Sequence, residues 1–241
     1  MFGLVATQPV ALGPLLVEGG ASLRALSEEH GDGWGVATHD APSGWSIEKH
    51  TARAAACPRF AALADRTRAR HVIAHIRKAT IGGVMHANTH PFVRGRYVLA
   101  HNGTIKHVTA LASRSSAARL AEIEGSTDSE RFFAFLLSRV DEAGDVERGV
   151  TDAVRELRAI AELGSVNFLF SDGARLFAYR QGRSLFAFAC LDTGVAAIAS
   201  EPMSGAAWTE IEEGTLVALD AETARLRRID LEQTSRRSTA A

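Results

Sequence analysis

Asn102-Gly103 is a pair of neighbours suited to stabilising negative charge. A side-chain amide followed by a glycine N–H supplies two donors that can converge on one point. An oxyanion hole needs that arrangement, and losing one such donor costs about 10²–10³ in rate. The same dipeptide is a strong turn signal, so a plain turn is the competing reading. Arg77 closes an apolar stretch. Its planar guanidinium suits bidentate capture of a carboxylate, with a solvated strand end as the alternative. Asp128 has two compatible readings. It belongs to a helix N-terminus with Ser126 or Thr127 as cap and Glu130 as capping-box partner, and its carboxylate can pair with a substrate ammonium.

Two histidine pairs invite a metal reading. His71/His75 and His86/His90 are each four residues apart, and on a strand such positions share a face. A metal-dependent hydrolase using His71, His75, His86 and His90 is therefore an alternative function. No Asp or Glu stands at zincin spacing, however, and the spacing on a strand is not a metal motif. Core or hydrogen-bonding histidines are the preferred reading, and no metal or other cofactor is expected.

The elements around these residues fall into three runs. The first is mainly strands: Gly3–Thr7 closed by Pro9, a hairpin of 34–39 and 44–50 around Pro42-Ser43-Gly44, a buried strand over 71–77, and 97–100 stopped by Asn102-Gly103. Short helices are expected over 21–29 and 52–68, with Pro58 breaking the second or starting a new helix. The middle run is helical, weakly over 110–124 and then clearly. Phe132, Phe133, Phe135, Leu136 and Val140 follow a helical period, as do Val150, Val154, Leu157 and Ile160 within 146–163. From Val166 onward six short strands alternate with tight turns. Strands and helices segregated in this way favour α+β with largely antiparallel sheets. One domain over 1–231 is expected, followed by a flexible tail over 232–241.

Composition narrows the function classes. With 241 residues, 46% of them hydrophobic, the chain can bury a full core. A net charge of −1 makes no case for nucleic acid or an anionic membrane. No apolar stretch approaches the ~18 residues of a membrane span, and the N-terminus does not read as a signal peptide. Two cysteines, Cys57 and Cys190, fit a reducing cytoplasm.

Seven short segments, taken in order, resemble the class II glutamine amidotransferases, a family of N-terminal nucleophile hydrolases. They are Asp-Gly-Trp-Gly at 32–35, His-Ile-Arg at 75–77, Asn-Thr-His-Pro-Phe at 88–92, Ala-His-Asn-Gly at 100–103 and Thr-Asp-Ser-Glu at 127–130. Asn167-x-Leu169-x-Ser171-Asp172-Gly173 and Ala199-Ser200-Glu201-Pro202 complete the set. The likeness is greatest to small stand-alone members and runs from Gly3 to Val217. It implies a four-layer αββα sandwich of two mainly antiparallel sheets. By the same resemblance Arg77 holds the glutamine α-carboxylate with Thr80 beside it, and Asp128 holds the α-ammonium. Asn102 and the Gly103 N–H form the oxyanion hole, and His90 lines the pocket. Lys78 and Ile81 depart from residues common among relatives, aromatic and His respectively, which bears on the substrate's outer contacts.

The resemblance also implies a cysteine at position 2, which becomes the first residue after Met1 is removed. Its own α-amino group, with a reference pKa near 7.7–8.0, then serves as base. Position 2 is Phe2. It carries no nucleophile, Met1 is expected to remain before so large a residue, and the ring is expected to crowd the pocket. Three functions follow: an amidotransferase-like protein without glutaminase activity, a binding or partner module for an amino-acid or γ-glutamyl ligand, and the metal-dependent hydrolase. Expected partners are glutamine or a γ-glutamyl small molecule and a separate synthase or acceptor protein. Oligomeric state cannot be read from the sequence.

Overall fold

Residues 2–11 form strand β1, and its side chains divide by parity. Phe2, Leu4 and Ala6 join one hydrophobic cluster, while Met1 and Val5 join another. Successive strand residues point to opposite faces, so one strand serves two cores. The computed structural model describes residues 1–40, 42–203 and 207–232. The tail expected over 232–241 lies outside these except for Glu232.

Short helices α1 (Gly13–Leu16) and α2 (Leu23–Leu26) follow, then the hairpin of β2 (Trp34–Asp40) and β3 (Gly44–His50). Helix α3 (Pro58–Arg66) leads into β4 (Arg68–Ile76), and β5 (Phe92–Arg94) pairs with β6 (Tyr97–Ile105). Helices α4 (Val108–Ala112), α5 (Ala117–Ala121), α6 (Asp128–Ala143) and α7 (Val146–Arg158) come next. The chain then returns to strands: β7 (Gly164–Ser171), β8 (Arg175–Tyr179), β9 (Phe186–Cys190) and β10 (Val195–Ala199). It ends with β11 (Thr209–Glu210), β12 (Leu216–Asp220) and β13 (Leu226–Ile229).

Two antiparallel sheets result. One has the order β11-β9-β10-β1-β4-β2-β3 and the other β13-β12-β8-β7-β6-β5. The inner faces meet in a core that includes Val5, Ile73, Ala100, Leu169, Leu176 and Ile198. Gly3 lets them approach, because a Cβ there would lie 2.8 Å from Leu176 and 2.9 Å from Leu169. Outside the first sheet, α1–α3 cover Phe2, Leu4, Trp34 and Phe60. Outside the second, α6 and α7 cover Phe168, Phe170 and Phe177 with Phe132, Phe135, Leu136, Val150 and Val154. The αββα sandwich expected from the sequence is the observed fold.

Several boundaries differ from the sequence reading. Strand β1 continues past Pro9 to Ala11, with a register shift between Val5 and Val10. Pro9 has no N–H to give to a ladder, so an irregular stretch accommodates it. Strand β6 does not stop at Asn102-Gly103 but runs through it, paired with Asn167 and Val166. The weak helix over 110–124 divides into α4 and α5, because the Ser116 hydroxyl caps a new start by accepting from Arg119 N. Helix α7 ends at Arg158, short of Leu163.

Phe2 is only 1% exposed within the outer core. Phe2→Ala is expected to lower unfolding free energy by about 3–5 kcal/mol in urea titrations, the usual cost of deleting a buried aromatic.

Candidate active site

The Asp-Gly-Trp-Gly segment is a platform. Asp32 Oδ2 accepts from Ala79 N at 2.8 Å, and Gly33 O accepts from Arg77 N at 2.8 Å, which fixes the chain just after β4. Gly33 adopts φ +133°, a backbone region that L side chains rarely enter. Trp34 packs edge-on against Phe60 in the outer core. A Cβ on Gly35 would fall 2.2 Å from His90 O, so only glycine lets segment 90–91 cross β2 there.

A second set of ties places Asp128. Asn88 Nδ2 donates to Gly83 O at 3.0 Å, and Asn88 Oδ1 accepts from Ser126 N at 2.9 Å. Thr127 caps α6 by accepting from Glu130 N at 3.3 Å. Glu130 does not complete a capping box; its carboxylate turns to Glu124 N, Gly125 N and Arg94. Asp128 Oδ2 accepts from Ile105 N at 2.8 Å and Oδ1 from Ser129 N at 3.0 Å. Asp128 is therefore part of the helix start and also locked to β6.

These ties surround a cavity of about 250 Å³ at the ends of β1 and β4 and beside the middle of β6. All seven residues expected from the sequence line it: Phe2, Arg77, Thr80, His90, Asn102, Gly103 and Asp128. Arg77 is 3% exposed. Its Nη2 donates to Ile81 O and Gly82 O, both at 3.2 Å, while buried Nη1 has no partner among the described residues. Thr80 hydroxyl lies 3.3 Å from that of Thr104. Asn102 Nδ2 donates to Ser200 Oγ at 3.1 Å. In an antiparallel ladder, backbone groups alternate between the two flanks. Val166 N donates to Gln181 O, away from its partner Gly103, and Ile105 N reaches Asp128 on the far side of β6 from β7. The Gly103 N–H shares that flank with Ile105. Gly103 must be glycine, since a Cβ would sit 2.0 Å from Ser165 O.

Burial sets the protonation of the cavity walls. His75 and His90 lie against each other with ring centroids 4.4 Å apart and planes tilted by 34°. Loss of hydration, reinforced by neighbouring positive charge, holds both well below the usual imidazole range. His75 Nδ1 and both His90 ring nitrogens are buried without partners. His101 lies between Ser129 Oγ at 2.9 Å and Ser165 O at 3.3 Å. The carbonyl can only accept, so Nε2 carries the proton and Nδ1 accepts from the Ser129 hydroxyl. The Met1 amine also borders this space, and burial lowers it to about 6 despite the opposing effect of Glu201.

The metal reading is not supported. His71 and His75 share a face of β4, but four strand residues span roughly 13 Å, too far to chelate one ion. His71 Nδ1 donates to Gly173 O at 3.2 Å beside Trp45, outside the cavity, and His86 is exposed before β5. No group of three metal-ligating side chains occurs among the described residues. Phe2 belongs with Leu4 to the outer core and also lines the cavity.

Some lining residues were not singled out from sequence. His101, Ser129, Ser200 and Glu201 lie inside the ordered motifs or next to singled-out residues, so their positions were visible though their roles were not. His30 and Met203 flank two of the ordered motifs, whereas Arg183, Leu23 and Leu26 carry no local signal.

Solved structures share this two-sheet architecture. A class II glutamine aminotransferase domain protein from Silicibacter pomeroyi superposes with TM-score 0.70 at 23% identity, covering 94% of this chain and 98% of that one. A glutamine phosphoribosylpyrophosphate amidotransferase from B. subtilis superposes with TM-score 0.67 at 18% identity, over 94% of this chain and 48% of that one. The family model described as glutamine amidotransferases class-II matches residues 1–191, and the chain belongs to that family. A putative glutamine amidotransferase of Haemophilus influenzae is 31% identical over 67% of this chain and 56% of its own length. An uncharacterised Methanocaldococcus jannaschii protein is 34% identical over 67% of this chain and 46% of its length, so the chain spans about half of these relatives. The γ-glutamyl-hercynylcysteine sulfoxide hydrolase of Mycolicibacterium smegmatis is 33% identical over 84% of each chain.

Neutral buried histidines make stability fall on acidification. His71 is lowered to about 3, and His75 and His90 are also depressed. Above about pH 6.5 these three add no slope; below it the unfolded chain takes up protons that the folded chain refuses. Each then removes about 1.4 kcal/mol per pH unit, continuing toward about pH 3 for His71. Urea midpoints measured from pH 7 to 5 are expected to drop accordingly; a flat profile contradicts the buried neutral assignment.

Proposed function

We propose that this chain is a class II glutamine amidotransferase domain whose cavity binds glutamine or a γ-glutamyl small molecule, and that the sequence as it stands does not hydrolyse the amide. The observation that supports binding most is Arg77. A buried guanidinium with Nη1 unengaged is costly unless an anion completes it. The α-carboxylate of the ligand does so, with Thr80 beside it. Asp128, already rigid on α6 and β6, takes the α-ammonium. Asn102 and the Gly103 N–H face the amide oxygen, and His90 closes the wall as a neutral ring.

The lack of hydrolysis rests on the nucleophile. The family chemistry requires a thiolate next to a free amine, and Phe2 provides no attacking atom. Cys57 lies in the outer core and Cys190 at the end of β9; neither lines the cavity. A γ-glutamyl ligand is favoured alongside glutamine by the relative named for γ-glutamyl-hercynylcysteine sulfoxide hydrolysis. A separate acceptor or synthase protein is the proposed partner, because the matched stretch covers only about half of these relatives' own length. One domain through residue 231 is the proposed organisation, supported by the core shared between the two sheets. The two free cysteines support a reducing cytoplasm.

Calorimetry with L-glutamine and γ-glutamyl peptides tests the binding half. Binding is expected, and Arg77→Lys, which keeps the charge but loses the fork, is expected to weaken it about tenfold or more. No heat with any of these ligands, or indifference to Arg77→Lys, overturns the reading. Glutamate release is expected to stay at background; turnover of about 1 s⁻¹ or more contradicts the inactivity half.

A further inference from the structure

The charges on the cavity wall do not balance once an amino-acid head group is in place. Three cations line it, Arg77, Lys78 and Arg183, against two carboxylates, Asp128 and Glu201. A γ-glutamyl head group is zwitterionic, so its carboxylate occupies Arg77 and its ammonium occupies Asp128. Two cations then remain against one carboxylate. The four wall histidines His30, His75, His90 and His101 are all shifted toward the neutral form, chiefly by burial, and supply no compensating charge. Among the described residues no hydrogen bond or ion pair engages the Lys78 ammonium or the Arg183 guanidinium. Arg183 is joined to the fold through its main-chain carbonyl, which accepts from Asn167 Nδ2 and Arg180 Nε. Most other arginines near acids in this chain are committed to ion pairs, such as Arg94 with Glu130 and Arg180 with Glu210.

Resting on the γ-glutamyl reading above, we infer that the ligand is a γ-glutamyl amide whose amine portion carries its own carboxylate or equivalent anion, and that Lys78 and Arg183 select it. Glutamine itself has only an NH₂ beyond the amide carbonyl and leaves both cations unanswered. A γ-glutamyl α-amino acid places a second carboxylate two bonds beyond the amide nitrogen, on the outer side of the cavity. Both side chains are exposed, so they act at the mouth, where solvent and salt weaken each contact.

The test compares three ligands by calorimetry on the full chain: L-glutamine, γ-glutamylethylamide and γ-glutamylglycine. The last two are close in size and differ in the terminal carboxylate. γ-Glutamylglycine is expected to bind about tenfold tighter than γ-glutamylethylamide at low salt, the preference shrinking as salt is raised. Lys78→Ala and Arg183→Ala are expected to bring the affinity ratio toward one, and the charge-keeping Lys78→Arg and Arg183→Lys to restore it. Equal binding of the two amides, with both still sensitive to Arg77→Lys, overturns this inference and leaves the γ-glutamyl reading standing. Absence of binding by all three removes the reading and the inference together. Thermal melts of each variant, expected to match the parent, separate lost selectivity from lost fold.

Discussion

Double burial of strand β1 is the constraint on which the rest depends. From Met1 to Ala6 every residue is buried, odd positions between the sheets and even positions beneath α1–α3. β1 also pairs on both edges, with β10 and β4. A strand held on two faces and two edges has little freedom to slip, since a one-residue shift would exchange its two side-chain sets. Its N-terminal end therefore makes a fixed corner, and the cavity is built from what converges there: the end of β4, the middle of β6, and the first turn of α6.

The cavity is assembled by main-chain anchoring, and its chemistry follows from desolvation. Asp32, Asn88 and Asp128 spend their side chains on backbone N–H groups, which holds loops 77–83 and 125–128 without help from a ligand. Glycines at 33, 35 and 103 stand where a Cβ would meet backbone oxygen or adopt a disfavoured φ. Among the described residues, four of the eight buried side-chain polar atoms without partners belong to cavity residues: Arg77 Nη1, His75 Nδ1 and both His90 ring nitrogens. Buried polar atoms without partners are costly, and these sit together at the end of a rigid strand, which is the observation behind the proposed ligand site.

Phe2 fits this frame as an outer-core residue. Its parity groups it with Leu4 and Ala6, and its ring contributes to the layer between the first sheet and its helices. The binding face and the outer core thus meet at one position, so the identity of residue 2 affects packing and chemistry at once. The proposed separation of binding from hydrolysis requires only that the rest of the corner be kept, and Arg77, Asn102, Gly103 and Asp128 are all in place around it.

Much of this was legible in the sequence because it depends on local pattern. The helical period of Phe132, Phe135 and Leu136, the alternation along the strands, and the ordered polar segments determine α6, the sheets and the residues that line the cavity. Tertiary structure decided what local pattern cannot. Asn102-Gly103 reads as a turn, yet pairing with Asn167 and Val166 carries β6 straight through it, since ladder bonds outweigh a two-residue preference. His71 and His75 look equivalent by spacing, but the length of a strand separates them into different environments. Arg183 has no neighbours in sequence that mark it; only folding brings its β8–β9 turn to the same wall as His30 in the loop after α2. Position 2 was visible as an anomalous letter from the start, and only the parity of β1 and the layer packed on it determined which way the ring points.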